Sequence, residues 1–297
     1  MPSSLSTPAR YLGVDIGGTG SRWVCVDATG AEVARGETCG ATGLLFDERA
    51  RARFHDALAP IPGPVTAACL GVTGAGFDSD AAVIDAARAA LNGTEVEILN
   101  DVELAWHAAF PDSTGHLVIA GTGSVGACRS GRGMVVVGGR GSLIDDAGSG
   151  TWIALRALDR VYRAIDRHGR PEGVEILSDA LFGAMGGSDW ESTRRFVYDS
   201  LRGQVGTLAR PVAEAAQAGD AAALALLVAA GQELARLVKA TARCGPAPVR
   251  ATGGVFNLHP AVAQSMRDSL PDVAISFGPL DAAAHAAQRA RHRKGTA

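Results

Sequence analysis

Cysteine is scarce: five occur in 297 residues, at Cys25, Cys39, Cys69, Cys128 and Cys244. The count is odd and no C-x-x-C pair is present, so neither a disulfide framework nor a zinc site is expected, and a reducing cytoplasm fits. Long apolar runs are lacking too. The longest, Ala221 to Gly231, is closed by Asp220 and Glu233 and falls short of the ~20 residues that span a bilayer. A buried Ala/Leu helix is expected there. The opening MPSSLSTPARY has no apolar core and is not expected to serve as a signal peptide. No sign of charge dominates: the net charge is −3, which gives no general pull toward nucleic acid or membrane. The one basic cluster, Arg289 to Lys294, reads as a solvated helix end. The P-loop pattern G-x-x-x-x-G-K-[ST] is absent. Gly121 to Gly126 does match G-x-G-x-x-G, but strand and turn follow it, and the next acid is Asp145. A dinucleotide fingerprint must open a helix and meet an acid ~20 residues on, so an oxidoreductase is not expected.

Glycine, in contrast, is abundant, with 38 residues. The four letters Gly18-Thr19-Gly20-Ser21 return as Gly121-Thr122-Gly123-Ser124, and the same offset carries Cys25 onto Cys128. Each copy lies between apolar stretches that read as strands. A glycine-rich strand–turn–strand junction gathers backbone N–H groups into a concavity that binds anions, notably phosphate. The Thr and Ser hydroxyls are expected to add donors. Two such turns could grip the terminal phosphates of one nucleotide.

The strand and helix patterns also restart. Residues 11–39 read as three strands with tight turns. Helices are expected over Asp47 to Leu58 and Asp78 to Leu91, strands at 65–74 and Glu95 to Leu99, and a helix over 101–110. From His116 the programme repeats, strand, turn, strand, turn, strand. Long helices follow, over Thr151 to Arg167, Val174 to Phe182, Trp190 to Leu201 and Asp220 to Arg243. The segments VRATGGVF and VAISFG return to the sheet, and Asp281 to Arg293 reads as a last helix. Mixed sheets with helices on their faces, duplicated, with a ligand between the halves, are the implied class.

Three acids stand near the glycines. Asp15 ends the first strand, where a carboxylate can hold Mg²⁺ beside phosphates. Asp101 follows a strand and opens a helix, which suits either a helix cap or a carboxylate that accepts a proton from an attacking hydroxyl. Asp145-Asp146 lies in a glycine-bracketed loop before a helix; one could cap that helix and the other bind a substrate.

The segments GVDIGGTGSR, LNDVELAWHAAF, VIAGTGSVG, GGRGSLIDDAGSGTWIALRAL and ATGGVF together resemble the N-acetylglucosamine and glucosamine kinases of the BadF/BadG/BcrA/BcrD ATPase family, in the superfamily of actin, hexokinase and the heat-shock chaperones. The likeness runs from about residue 11 to residue 288. It implies an α/β fold of two actin-like (ribonuclease H-like) lobes, each a mixed sheet flanked by helices, with an ATP/sugar cleft between. The lobes would be residues 9–113, completed by a C-terminal helix at 281–297, and residues 114–280.

The resemblance implies ATP and Mg²⁺ as cofactors and a small-molecule amino sugar as partner, with no nucleic acid, no membrane and a cytoplasmic location; oligomeric state is left open, a homodimer included. Motif by motif, Asp15 would position the metal. Gly17, Gly18, Thr19 and Gly20 would form one phosphate loop, and Gly121, Thr122 and Gly123 the other. Gly253 and Gly254 would approach the adenosine. Asp101 would activate the sugar 6-hydroxyl, and Thr122 and Asp146 would contribute to the substrate site. The loop Cys39 to Leu45 lies where the family places another sugar contact. Arg140 stands where N-acetylglucosamine kinases often have Trp, and Ala147 where they have an acid, which tilts the expectation toward glucosamine. An ATPase switch or activator of the same fold is the alternative.

Overall fold

The computed structural model describes residues 9–76, 80–199 and 202–295, which fall into two compact units. One contains the described residues through Asp112 and those from Leu280 onward; the other is Ser113–Pro279.

The first unit contains β1 (Arg10–Ile16), β2 (Gly20–Asp27), β3 (Glu32–Cys39), α1 (Glu48–Leu58), β4 (Ala67–Val72), α2 (Ala81–Ala90), β5 (Glu95–Asn100) and α3 (Asp101–Ala109). The second contains β6 (His116–Ala120), β7 (Ser124–Ser130), β8 (Gly133–Gly138), α4 (Gly150–His168), α5 (Glu175–Met185), α6 (Trp190–Asp199), α7 (Arg202–Thr207), α8 (Ala209–Gln217), α9 (Ala221–Thr241), β9 (Val249–Thr252), α10 (Pro260–Asp268) and β10 (Ile275–Phe277). The chain then returns to the first unit as α11 (Ala282–Gly295).

The first sheet has strand order β3-β2-β1-β4-β5 and the second β10-β9-β6-β7-β8. In each, the opening three strands form an antiparallel meander, and two later strands add in parallel on the other side of the first. Both halves thus follow one topology, as the repeated turn suggests.

Burial explains the strand types. β4 reads AACLGV and is buried throughout, as a parallel strand covered on both faces must be. β3 lies at the edge and is mostly exposed. Leu12, Val14 and Ile16 of β1 join Phe54, Ala57, Leu58, Val83 and Ala87 of α1 and α2 in one core. The alternate β1 residues face α11 instead, and at Gly13 the approach is so close that a β-carbon would overlap backbone at Ala283 and Ala287. The small side chains of Ala282, Ala283, Ala286, Ala287 and Ala290, all buried, allow this contact.

In the second unit, α9 is the one described helix long and apolar enough by composition to cross a bilayer, but it lies in the core, with Leu227, Ala230, Leu234 and Ala235 buried beside α4, α8 and α10. Its start is fixed by Asp220, whose carboxylate accepts from the Ala222 and Ala223 amides, a strong N-cap.

Some expectations need correction. Three helices were not expected: α7, α8 and α10. Two expected helix ends, Asp78 and Leu201, lie outside the described residues. Cys128 of β7 is bonded to Cys244, just beyond α9, so the chain does carry a disulfide. The partners are 116 residues apart in sequence, and only the packing of α9 against β7 brings them together. Closing a loop of that length restricts the unfolded chain, so Cys128→Ser is expected to lower stability by about 2–4 kcal/mol, read by denaturant unfolding under non-reducing conditions. An unchanged midpoint would mean that the bond contributes nothing.

Candidate active site

The first glycine turn joins β1 to β2. Ile16 pairs with Ser21, leaving Gly17, Gly18, Thr19 and Gly20 as the turn. It is closed by the Gly17 amide donating to the Gly20 carbonyl, at 3.1 Å, and held from outside by the Ala41 amide donating to the Gly17 carbonyl, at 3.0 Å. Gly18, Thr19 and Gly20 are exposed. The Ser21 hydroxyl is buried and donates to the Cys39 carbonyl at 2.8 Å. Gly40 lies so close that a β-carbon there would overlap the backbone of Gly18, Thr19 and Gly20.

Asp15 and Asp101 stand beside this turn. Asp15 is the last β1 residue but one and shares the sheet face of Gly13, toward α11 and α3. Asp101 opens α3, but the N-cap is Asn100, whose Oδ1 accepts from the Val102 amide at 2.9 Å while its Nδ2 donates to the Ala75 carbonyl at 2.7 Å. Asp101 Oδ1 accepts from the same Val102 amide at 3.0 Å, so the two side chains share it, and Asp101 is also hydrogen-bonded to Thr73. Burial raises the Asp101 carboxyl above the usual range, against the Thr73 and Val102 hydrogen bonds. Burial, and then the like charge of Asp101, push the Asp15 carboxyl up to about 6; Arg22 pulls it down and Asp281 adds to the rise.

The second turn, Gly121-Thr122-Gly123, joins β6 to β7 and is one residue shorter, since Ala120 pairs directly with Ser124. Ile119 therefore takes the place along β6 that Asp15 holds in β1, and the acid has no twin. The first amides of α4 are spent on this turn: Gly150 donates to the Gly121 carbonyl at 2.8 Å and Thr151 to the Thr122 carbonyl at 3.2 Å. Ser149, not Asp145 or Asp146, caps that helix.

Asp146, in a left-handed conformation with φ 64°, places its carboxylate against Gly123 and accepts the Ser124 amide at 3.3 Å. Burial raises its carboxyl. The Ser124 hydroxyl donates to the Ala147 carbonyl at 2.8 Å. Ser21 and Ser124 thus brace the turns from within rather than adding donors for a ligand. Gly253, with φ 111°, packs on β6 so closely that a β-carbon would overlap Ala120, and Gly254 is open and exposed. Gly253 and Gly254 therefore stand beside Gly121 in the same half-site.

Comparison with known proteins bears on this arrangement. Residues 12–275 match the model of the BadF/BadG/BcrA/BcrD ATPase family. The chain belongs to that family. An N-acetylmuramic acid/N-acetylglucosamine kinase from Clostridium acetobutylicum is 29% identical over 180 residues, which is 59% of this chain and 58% of that protein. The chain thus matches less than two thirds of that relative. Among solved structures, a proposed N-acetylglucosamine kinase from Chromobacterium violaceum superposes with TM-score 0.71 at 24% identity, covering 95% of this chain and 98% of that one. Another, from Porphyromonas gingivalis, gives 0.75 at 18% identity, covering 97% and 100%. At these identities the two structures establish the fold.

In this member of the BadF/BadG/BcrA/BcrD ATPase family, the acids have a clear electrostatic character. No group of three or more His, Cys, Asp or Glu among the described residues could hold a metal unaided. Mg²⁺ needs only one or two carboxylates with phosphate oxygens and water. Asp15 fits that demand, because its carboxyl, raised by desolvation and then by Asp101, is one that a cation would relieve.

The signs predict opposite pH trends. A carboxyl raised in the folded state binds more protons there than in the unfolded chain, so stability rises as pH falls from 7 through about 6. The carboxylate needed for a cation is lost over the same interval. Thermal stability of the nucleotide-free protein is therefore expected to increase between pH 7 and 5 while activity declines. A parallel fall of both would contradict the raised Asp15.

Sequence reasoning missed Gly40, Thr73, Arg22 and Asp281. The glycines of residues 39–45 gave a signal for the first. The other three reach the site through strand register and helix packing. Asp145, in turn, is committed elsewhere: it accepts the Arg140 amide at 2.7 Å and pairs with the Arg140 guanidinium at 2.9 Å.

Proposed function

We propose that this protein is an ATP-dependent amino-sugar kinase that phosphorylates the 6-hydroxyl of glucosamine or N-acetylglucosamine. The observation that carries the reading is Asp101: a carboxylate at a strand end, raised by burial, beside a glycine turn and Asp15, with Asn100 sharing the Val102 amide at the helix start. Family membership and the kinase names of its relatives support it.

In the proposed reaction each unit supplies one glycine turn to the phosphates of a single ATP, through backbone N–H groups. Gly253 and Gly254 leave room for the adenosine. Asp101 accepts the proton of the 6-hydroxyl as its oxygen bonds to the γ-phosphorus and the bond to ADP breaks. Magnesium, bound by Asp15 and the phosphates, would offset the charge on the transferring group. Thr122 and Asp146 complete the substrate side of the second turn. Of the two carboxylates that could face a glucosamine ammonium, Asp145 is tied to Arg140, so Asp146 is the one left.

A coupled ADP-release assay over glucosamine, N-acetylglucosamine, N-acetylmuramic acid and glucose tests the reading. Sugar-dependent turnover with an amino sugar preferred is the expected result. ATP turnover that ignores every sugar would overturn it.

A further inference from the structure

The basic end of the chain does more than meet solvent. Along α11, His285, Arg289, His292 and Arg293 follow one another at spacings of four, three and one, which puts them on one side of a helix. Facing them is His107 of α3, whose ring is parallel to that of His285, with centroids 6.5 Å apart and planes 2° apart. These five side chains and Asp112 line a cavity of about 560 Å³ within the first unit.

The positive groups there outnumber their partners. Glu97 of β5, 15% exposed, serves two guanidiniums at once: Arg289 through Nε at 2.9 Å and Nη2 at 2.8 Å, and Arg293 through Nη1 at 3.0 Å. Arg289 spends one edge of its five-donor fork in this way, and no described residue takes the Nη1 side. Glu103 lies 3.8 Å from His107 Nε2. Beneath the two helices, β1 and β4 place Tyr11 and Cys69, and β2 places Val24 and Val26. Burial pushes the Cys69 thiol up, so it is neutral. Burial, and then the like charges of His107, Arg289 and His292, hold the His285 imidazole below its ordinary value.

We propose that this cavity binds a phosphate dianion through Arg289, His285 and His107, with room beyond it for the molecule that carries the phosphate. A planar fork with an open edge suits phosphate oxygens. An anion between the two rings lets both be protonated where their charges would otherwise repel. The volume exceeds what a bare phosphate fills and lies in the range of small-molecule sites. Asp112 is placed to accept from hydroxyl or amino groups of the carrier. The ligand would bear on the two helices whose first turns follow Asn100 and Asp281, and so on the acids near Asp15. The proposal stands apart from the kinase reading.

The test follows the histidine ring signals of the full chain by NMR between about pH 5 and 8, assigned with His107→Gln and His285→Gln. Inorganic phosphate, glucosamine 6-phosphate and chloride are compared at equal ionic strength. Both phosphates are expected to raise the titration midpoints of His285 and His107 by about one pH unit, which is a tenfold tighter hold by the protonated site, and chloride is not. By the same linkage, binding should tighten as pH falls from about 8 toward 6, where the phosphate itself begins to protonate. Arg289→Lys keeps a cation on Glu97 but loses the fork, and should weaken binding about 10-fold.

A sugar phosphate that binds more tightly than inorganic phosphate, with the difference lost in Asp112→Asn, supports the site and identifies a carried phosphate. Equal binding of the two supports the site as one for free phosphate. Midpoints that move no more in phosphate than in chloride would overturn the proposal. So would a His107 midpoint that still rises fully in Arg289→Lys. The main readout is taken on the wild type, so a poorly folding variant does not remove it. ATP turnover plays no part in it, and its failure leaves the kinase reading standing.

Discussion

Asp101→Asn is expected to lower kcat by about 10²–10⁴, the range for a lost general base, while ATP affinity and Tm stay close to wild type. The fold should tolerate the change because Asn100 caps α3 and ties it to Ala75, and an asparagine at 101 can keep accepting from the Val102 amide that Asp101 shares with Asn100. Asparagine can still accept the Thr73 hydrogen bond that Asp101 receives, so what is lost is proton acceptance. Steady-state turnover with an amino sugar, paired with ATP titration, reads the two effects apart. An Asp101→Asn protein with full kcat would make Asp101 an ordinary first-turn acid that favours the helix dipole. A protein that loses ATP binding as well would place Asp101 in the nucleotide site instead.

Gly13→Val should have the largest effect on stability. The β-carbon it introduces would run into the backbone of α11 at Ala283 and Ala287, and backbone cannot rotate away as a side chain can. Overpacking a core usually costs about 1–3 kcal/mol, and a clash with a helix backbone should lie at or above the top of that range. The helix that returns from the end of the chain would be forced off β1, exposing Val24 and Val26, which share its core. Expected results are a large drop in the urea midpoint and faster proteolysis within residues 280–295. A midpoint within experimental error of wild type would mean that α11 is not held against Gly13 in solution.

Much of this was legible in the chain because the signals were local. The alternation of Val14 and Ile16 with Asp15 marked a strand, and the run from Glu95 into Asp101 marked a strand end followed by a helix. The repeated glycine turn announced a duplication that both sheets carry in the same strand order.

What escaped depends on residues far apart in sequence. Arg22 faces Asp15 only through the register of β1 with β2. Asp281 nears Asp15 only because α11 returns to the first unit. Cys128 meets Cys244 across a span of 116 residues. The serines of the repeated motif looked like donors for a ligand, but a hydroxyl buried beneath a turn is better satisfied by a carbonyl, as at Cys39 and Ala147. Two of the unexpected helices contain proline. α10 begins at Pro260, where the missing N–H costs nothing, and α8 has Pro211 in its first turn. Proline there reads as a break although it suits a helix start.

A crystal structure of the protein with a non-hydrolysable ATP analogue, Mg²⁺ and glucosamine would test the account at its centre. The account predicts phosphate oxygens against the backbone of Gly17–Gly20 and of Gly121–Gly123, the ion at Asp15, and the sugar 6-hydroxyl within hydrogen-bonding distance of Asp101. A triphosphate bound away from both turns, or a sugar with its 6-hydroxyl turned from Asp101, would contradict it.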